Sequence, residues 1–314
     1  MRKDTTKVKL RKYIIYYQHK LWSMYNKFKI YLEYSKPKVW WLLVFTGFAG
    51  ALLATKIFNI YNAMLIIIVV LSVTFGSIGA EGLTNYIDYD MDSIMERTKN
   101  RPLPKGLIKK KNALAFGYFF AALSVILLII IAKYIAAIFM VLGIFDNVFI
   151  YSYLLKKKSP YSIILGGFSG AFPVLIGWYT LTSTFSWLPW ILFLLVLFWI
   201  PLHVWSLVYR YKDDYEKAGV PMLPVVYSSK TTAFAISFSS LLLIVFSLFP
   251  YFLGIFDYLY LITVLILSIP IIVFSYMFIK NNDRASSFKL FVYTAPYLTL
   301  IYVIVLIMNF VKIY

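Results

Sequence analysis

Between Thr84 and Pro104 the chain reads TNYIDYDMDSIMERTKNRPLP. Four of its 13 acidic residues, Asp88, Asp90, Asp92 and Glu96, fall within nine positions there, and Arg97, Lys99, Arg101 and Lys105 follow. On a helix Asp88 and Asp92 share a face, with Asn85 one turn earlier. Like charges at that spacing repel, so helix stability does not account for them. A divalent cation does. Magnesium takes hard oxygen ligands, commonly one or two carboxylates together with phosphate oxygens. Asn85, Asp88 and Asp92 are therefore candidate metal ligands, and Arg97, Lys99 and Arg101 candidate phosphate ligands.

A second cluster lies in YRYKDDYEKAGVPMLPVV, near residue 210, again after a long apolar run. It adds Asp213 and Asp214 to the metal candidates and Arg210 and Lys212 to the phosphate candidates. Two acidic clusters at the ends of two apolar segments suggest one site with two metal-binding walls. Asp88, Asp92 and Asp214 are the carboxylates expected to matter for turnover.

The elements that must carry these clusters are membrane helices. The chain is 61% hydrophobic and 20% aromatic over 314 residues, with no polar linker dividing it. Nine apolar segments approach the roughly 20 residues that span a bilayer core, near 39–55, 60–83, 113–132, 134–154, 162–182, 188–208, 232–253, 258–279 and 290–311. The expected fold is all-α, a polytopic bundle of about nine transmembrane helices. With the N-terminus inside, 28 of the 31 Lys and Arg residues face inward, leaving only Lys56, Lys133 and Lys312 outside. That is the positive-inside pattern. It puts both acidic clusters on the cytoplasmic side of a cell membrane, and it reads the net charge of +18 as topology rather than nucleic-acid binding. There is no cysteine, which excludes thiolate metal sites and disulfides.

Residues 1–36 form a basic, Tyr-rich arm without the apolar core of a signal peptide. The spacing of Tyr13, Ile14, Tyr17, Leu21, Trp22, Tyr25 and Phe28 predicts an amphipathic helix on anionic lipid, with a substrate lid as the alternative. His19 in the arm reads as a surface residue. Residues 37–314 form the membrane domain. Glu81 sits about one turn inside the membrane edge, as a structural hydrogen-bonding group or a member of the site. Asp146, beside Asn147, is an intramembrane carboxylate and so a functional candidate, against an interhelical hydrogen bond as the plainer reading. Lys156 opens a run of three lysines that marks orientation, or reaches a diphosphate. Gly166, Gly167, Gly170, Gly177 and Pro173 predict a closely packed, kinked fifth span. His203 is the one histidine in a membrane segment, either hydrogen-bonded in the core or a ligand.

These features together resemble the UbiA superfamily of membrane prenyltransferases. The strings DYDMDSIMERTKNRPL, LKKKSPYSIILGGFSGAFPVLIGW and DDYEKAGVPMLPVV resemble the protoheme IX farnesyltransferases, or heme O synthases, within it. The resemblance covers roughly 37–312 and leaves the basic arm aside. It implies a magnesium-dependent transfer of a prenyl group from its diphosphate to a vinyl carbon of heme b, with water adding at the same vinyl group. It also implies association with a downstream heme-modifying membrane enzyme. Asn85, Asp88, Asp92, Asp213 and Asp214 would hold the metal. Arg97, Lys99, Arg101, Lys156, Arg210 and Lys212 would meet the diphosphate, with Lys156 assisting catalysis, and His203, Tyr151 and Asp146 would line the heme site. Two departures stand out: Thr84 where bacterial relatives commonly carry Asn, and Leu202 between Pro201 and His203. The alternatives are a quinone precursor or an archaeal glycerophosphate lipid as acceptor, or a non-catalytic cation transporter.

Overall fold

A bilayer offers no partners for backbone N–H and C=O groups, so apolar runs of this length satisfy them internally as helices. The structure, a computed structural model, describes residues 24–313. The expected amphipathic positions Tyr13, Ile14, Tyr17, Leu21 and Trp22, and His19, lie outside the described residues. In chain order the elements are α1 (24–34), α2 Pro37–Ala54, α3 Ile60–Ile87, α4 Tyr89–Ile94, α5 Lys110–Ile130, α6 Tyr134–Phe145 continuing as a π-helix over Asp146–Leu155, α7 Ser162–Leu165, α8 Phe168–Leu181, α9 Trp187–Arg210, α10 Lys212–Lys217, α11 Leu223–Val226, α12 Ser229–Phe252, α13 Tyr258–Asn281 and α14 Arg284–Ile313. Among the described residues nine spans are long and apolar enough to cross a membrane. They fall on the nine predicted segments.

Local chemistry explains the boundaries. Asn59, Ser186, Ser228 and Asp257 cap α3, α9, α12 and α13, each accepting a backbone N–H of the first turn, as N-cap residues do. Pro37 starts α2 where its missing N–H costs nothing.

Three features depart from the sequence expectation. The second span runs on to Ile87, so the first acidic stretch begins inside the helix. The fourth span changes to π-helical geometry for ten residues. The fifth breaks at Gly166 and Gly167 into α7 and α8. Close approach explains the last: a Cβ on Gly166 would lie 2.4 Å from Cβ of Tyr151.

The α2–α8 contact is closer still. A Cβ on Gly177 would lie 2.0 Å from the Gly47 carbonyl oxygen, and one on Gly50 would lie 2.2 Å from that of Val174. Small residues let two backbones meet in this way. The main core joins α2, α8, α9, α12, α13 and α14 through fully buried side chains such as Leu192, Leu195, Val264, Ile271, Leu298 and Tyr302. A smaller cluster holds the end of the arm: Tyr34 packs with Leu103, Ile108 and Ala113, flanked by Ile30, Tyr31 and Phe116. Tyr25 and Phe28 remain exposed.

Gly177→Leu inserts a side chain where backbone already stands. It is expected to destabilise the bundle by at least about 1–3 kcal/mol, the usual cost of overpacking, seen as a lower unfolding midpoint in detergent.

Candidate active site

The end of α3 and the start of α4 form the first wall. The chain bends at Asp88, which terminates α3 and precedes α4. The bonds from Asp88 N to Thr84 O and from Asp92 N to Asp88 O, both 2.8 Å, keep the helical register across the join. Asn85, Asp88 and Asp92 thus stay on one face, and all three are buried.

Each has one side-chain atom held and one left over. Asn85 Nδ2 donates to the Tyr34 carbonyl at 2.7 Å. Asp88 Oδ2 is paired with Lys156 Nζ, and Asp92 Oδ2 with the Arg101 guanidinium at 2.7 Å. Asn85 Oδ1, Asp88 Oδ1 and Asp92 Oδ1 are buried with no hydrogen-bond partner. Unpartnered buried oxygens are costly and call for a reason. Three on one wall, all hard donors, fit a divalent cation. Thr84 does not join them: its hydroxyl turns back to the Glu81 carbonyl at 3.0 Å.

Lys156 arrives from the end of the π-helix, where its N–H reaches the Tyr151 carbonyl five residues back. Burial pushes this ammonium toward neutrality, but the Asp88 carboxylate, Tyr151 and Tyr215 together outweigh that and hold its pKa above the ordinary lysine value.

The second wall is α10. Asp214 Oδ2 accepts the Arg97 backbone N–H at 3.2 Å, which ties the two acidic stretches together. Asp213 pairs with Arg284 at 2.6 Å on the exposed side. That guanidinium holds the Asp213 carboxyl below the usual carboxylate range. Among the described residues, no three His, Cys, Asp or Glu side chains gather closely enough to hold a metal. The stretches therefore meet through Arg97, not as a cage of four carboxylates. Two carboxylates and an amide oxygen still match how magnesium is usually held when phosphates complete its shell.

A polar recess of about 420 Å³ lies beside the second wall, lined by Glu96, Arg97, Arg210, Tyr211, Asp213, Asp214 and Arg284. The Arg97 guanidinium is held only loosely, 3.4 Å from the Tyr215 hydroxyl and 5.7 Å from the Tyr211 ring centre. The Arg210 guanidinium lies over the Phe288 ring. Lys99 points elsewhere and pairs with Glu96 at 2.5 Å on the surface. Lys212 is half-buried and is not among the residues lining the recess.

On the membrane side lies a cavity of about 600 Å³, lined by α2, α3, α6, α8, α9 and α14. Its wall is mainly apolar, and Glu81, Asn147, Tyr151 and His203 face it. Asp146 is not among its lining residues. Its Oδ2 accepts the Ser169 N–H at 2.8 Å, an interhelical bond that tethers the π-helix to the start of α8.

His203 is sandwiched between Trp199 and Phe291, with ring centres 4.3 and 4.4 Å away. Its Nδ1 lies 2.6 Å from Thr294 Oγ1. That hydroxyl already donates to the Phe291 carbonyl at 2.9 Å. With its single hydrogen on that carbonyl, the hydroxyl would take the Nδ1–H, the tautomer that leaves a lone pair on Nε2.

Sequence reasoning did not find Tyr34, Lys36, Phe291 or Thr294. Trp199 was legible as an aromatic one turn before the histidine. Phe291 and Thr294 come from a helix some ninety positions away and carry no local signal.

A model of the UbiA prenyltransferase family matches residues 42–303. The chain belongs to the UbiA prenyltransferase family. Protoheme IX farnesyltransferase 1 of Picrophilus torridus is 60% identical to it over 295 residues, 94% of this chain and 99% of that one. Protoheme IX farnesyltransferase of Thermoplasma volcanium is 53% identical over 287 residues, 91% and 100%. Among solved structures, one of a digeranylgeranylglyceryl phosphate synthase superposes with a TM-score of 0.71 at 25% identity, covering 92% of this chain and 99% of that one. A UbiA homolog from Archaeoglobus fulgidus, bound to DMAPP and Mg2+, shares the fold with a TM-score of 0.57 at 16% identity, covering 87% and 99%.

In this UbiA chain Lys156→Met would leave Asp88 buried without its cation. Breaking such a pair costs about 3–5 kcal/mol. Adding Asp88→Asn should recover much of the loss, and a double-mutant cycle of unfolding midpoints reads the coupling.

Proposed function

We propose that the chain transfers a prenyl group, farnesyl or longer, from its diphosphate to a vinyl group of heme b, giving a heme O type product. The observation that carries this reading is His203. His203, clamped between two rings and bonded through Nδ1 to Thr294, lines a mainly apolar cavity, and its Nε2 is the nitrogen it would offer to an acceptor there. Imidazole is a common axial ligand of heme iron, and a partner on the other ring nitrogen is how ligating histidines are oriented. Neither a quinone precursor nor a glycerophosphate lipid offers anything for that nitrogen to ligate. The names of the relatives at 60% and 53% identity support the same acceptor.

The oxygens left over on Asn85, Asp88 and Asp92 fit magnesium, with Asp214 and Asp213 at the opposite wall. When bound, the ion would neutralise diphosphate charge and so ease ionisation of the allylic C–O bond. The chain's own residues do the rest. Arg97 and Arg101 stand at the mouth to bind the diphosphate, with Arg210 and Lys212 on the rim. Lys156 places a fixed positive charge where negative charge develops on the leaving group. The apolar cavity keeps water from the allylic cation until the acceptor has reacted. Tyr151 shapes the cavity beside the break at Gly166. The positive-inside distribution supports a multi-pass protein of the cell membrane, with this mouth cytoplasmic.

The deciding experiment is mass spectrometry of hemes formed by the full chain from heme b and defined prenyl diphosphates, with magnesium. A prenylated, hydroxylated heme is expected. Asp88→Ala and Asp92→Ala should lose it by at least about 100-fold while remaining folded, and excess EDTA should abolish it in the native protein. Full activity of both variants in EDTA would refute the metal assignment.

His203→Ala should shift the Soret band of bound heme and weaken heme affinity about tenfold or more, while prenyl diphosphate binding is retained. An unaltered spectrum and affinity in the folded variant would remove His203 from the heme site.

A further inference from the structure

Glu81, Asn85, Asp88 and Asp92 follow one another at spacings of four, three and four residues, one stripe of α3 and α4. The last three hold the unpartnered oxygens. Glu81 stands one turn deeper, roughly 6 Å along the axis, and faces the cavity. It is the one carboxylate among the residues lining that cavity. Its Oε2 is bound by Lys36 Nζ at 2.9 Å, with side-chain exposures of 14% and 18%. Lys36 reaches it from a left-handed backbone, φ 54° and ψ 61°. A buried ion pair stabilises a fold no better than a well-packed apolar pair, and a left-handed lysine adds strain. Stability therefore does not explain the arrangement. Position does: the carboxylate faces the apolar cavity from the same helix stripe that carries the candidate metal ligands, one turn before Asn85.

We propose that Glu81 is a catalytic residue for the water-addition half of the reaction, accepting a proton from the water that quenches the acceptor's carbocation. The inference rests on the heme reading above. The allylic C–O bond breaks and its electron pair leaves with the diphosphate. The vinyl π pair then forms the new C–C bond, and the positive charge moves to the vinyl carbon next to the porphyrin. Water's oxygen bonds to that carbon, one of its protons passes to Glu81, and a secondary alcohol results. Glu81 afterwards releases the proton to solvent. The negative carboxylate also faces the cation while it lasts. Without this base the cation has another exit: it loses a proton from the adjacent, prenyl-bearing carbon and becomes an alkene, lighter by one water than the alcohol.

The test follows the product ratio in the full chain supplied with heme b, farnesyl diphosphate, magnesium and 18O-labelled water. The native protein should give labelled alcohol. Glu81→Gln should still prenylate heme, but its alcohol-to-alkene ratio should fall by at least about tenfold, within the range for loss of a general base. Lys36→Arg alters the same partner but keeps the carboxylate and a cation beside it, so its ratio should stay native. Should Glu81→Gln alone not fold, the Glu81→Gln, Lys36→Met double variant carries no unpaired charge and is read instead. An unchanged ratio in the Gln variants would overturn the proposal, as would an equal fall in Lys36→Arg. A native protein that prenylates no heme would overturn the heme reading and this inference with it.

Discussion

Two carboxylates buried at the edge of a membrane bundle need compensating charge, and the architecture of this chain follows from how they get it. Asp88 and Asp92 are 2% and 1% exposed. Each takes a cation on one oxygen, Lys156 and Arg101 respectively, and keeps the other oxygen without a partner. The cations come from different elements. Lys156 hangs from the π-helix, and Arg101 from the loop after α4. The site is therefore a meeting of three segments, and charge neutralisation is what holds them in register. Half-satisfied carboxylates are costly in a soluble core. Here the second oxygen of each has no protein partner, the donor pair that the proposed metal site would use.

The same wall is braced from behind by the arm. The Tyr34 hydroxyl donates to the Gly82 carbonyl at 2.5 Å, the Tyr34 carbonyl receives Asn85 Nδ2, and Lys36 holds Glu81. Residues 34–36 are thus bonded to the helix turn that carries the stripe. A segment whose pattern predicts a helix on anionic lipid, with a substrate lid as the alternative, ends by bonding to an amide in the candidate metal shell. Arg97 does the equivalent in front, where its backbone links the first acidic stretch to Asp214.

The nine spans were legible because apolar length is a strong signal, and the Asn85, Asp88 and Asp92 face because helical spacing places residues locally. What escaped the sequence was either a change of helical period or a partner distant in the chain. DNVFIYSYLL reads as ordinary span, yet its π geometry is what brings Asn147 and Tyr151 to the cavity and Lys156 to Asp88. Asp146 and Asn147 are adjacent, and only the backbone path decides that the amide faces the cavity and the acid caps α8. His203 Nδ1 meets Thr294 Oγ1, which also reaches the Phe291 carbonyl on α14. No pattern around PLHVW carries that information.

The polar groups are graded with depth in a way that suits a reaction with two opposed demands. At the mouth, arginines and paired carboxylates suit a highly charged diphosphate. One turn in, Glu81 is a single anion with a fixed counter-ion. Deeper still, His203 is surrounded by rings, where a charged group would pay the full cost of desolvation. Ionisation of the allylic bond requires charge stabilisation, whereas survival of the cation requires the exclusion of water. In the proposed reaction, separating these along one helix stripe would serve both, with the departing anion and the migrating cation met by different residues.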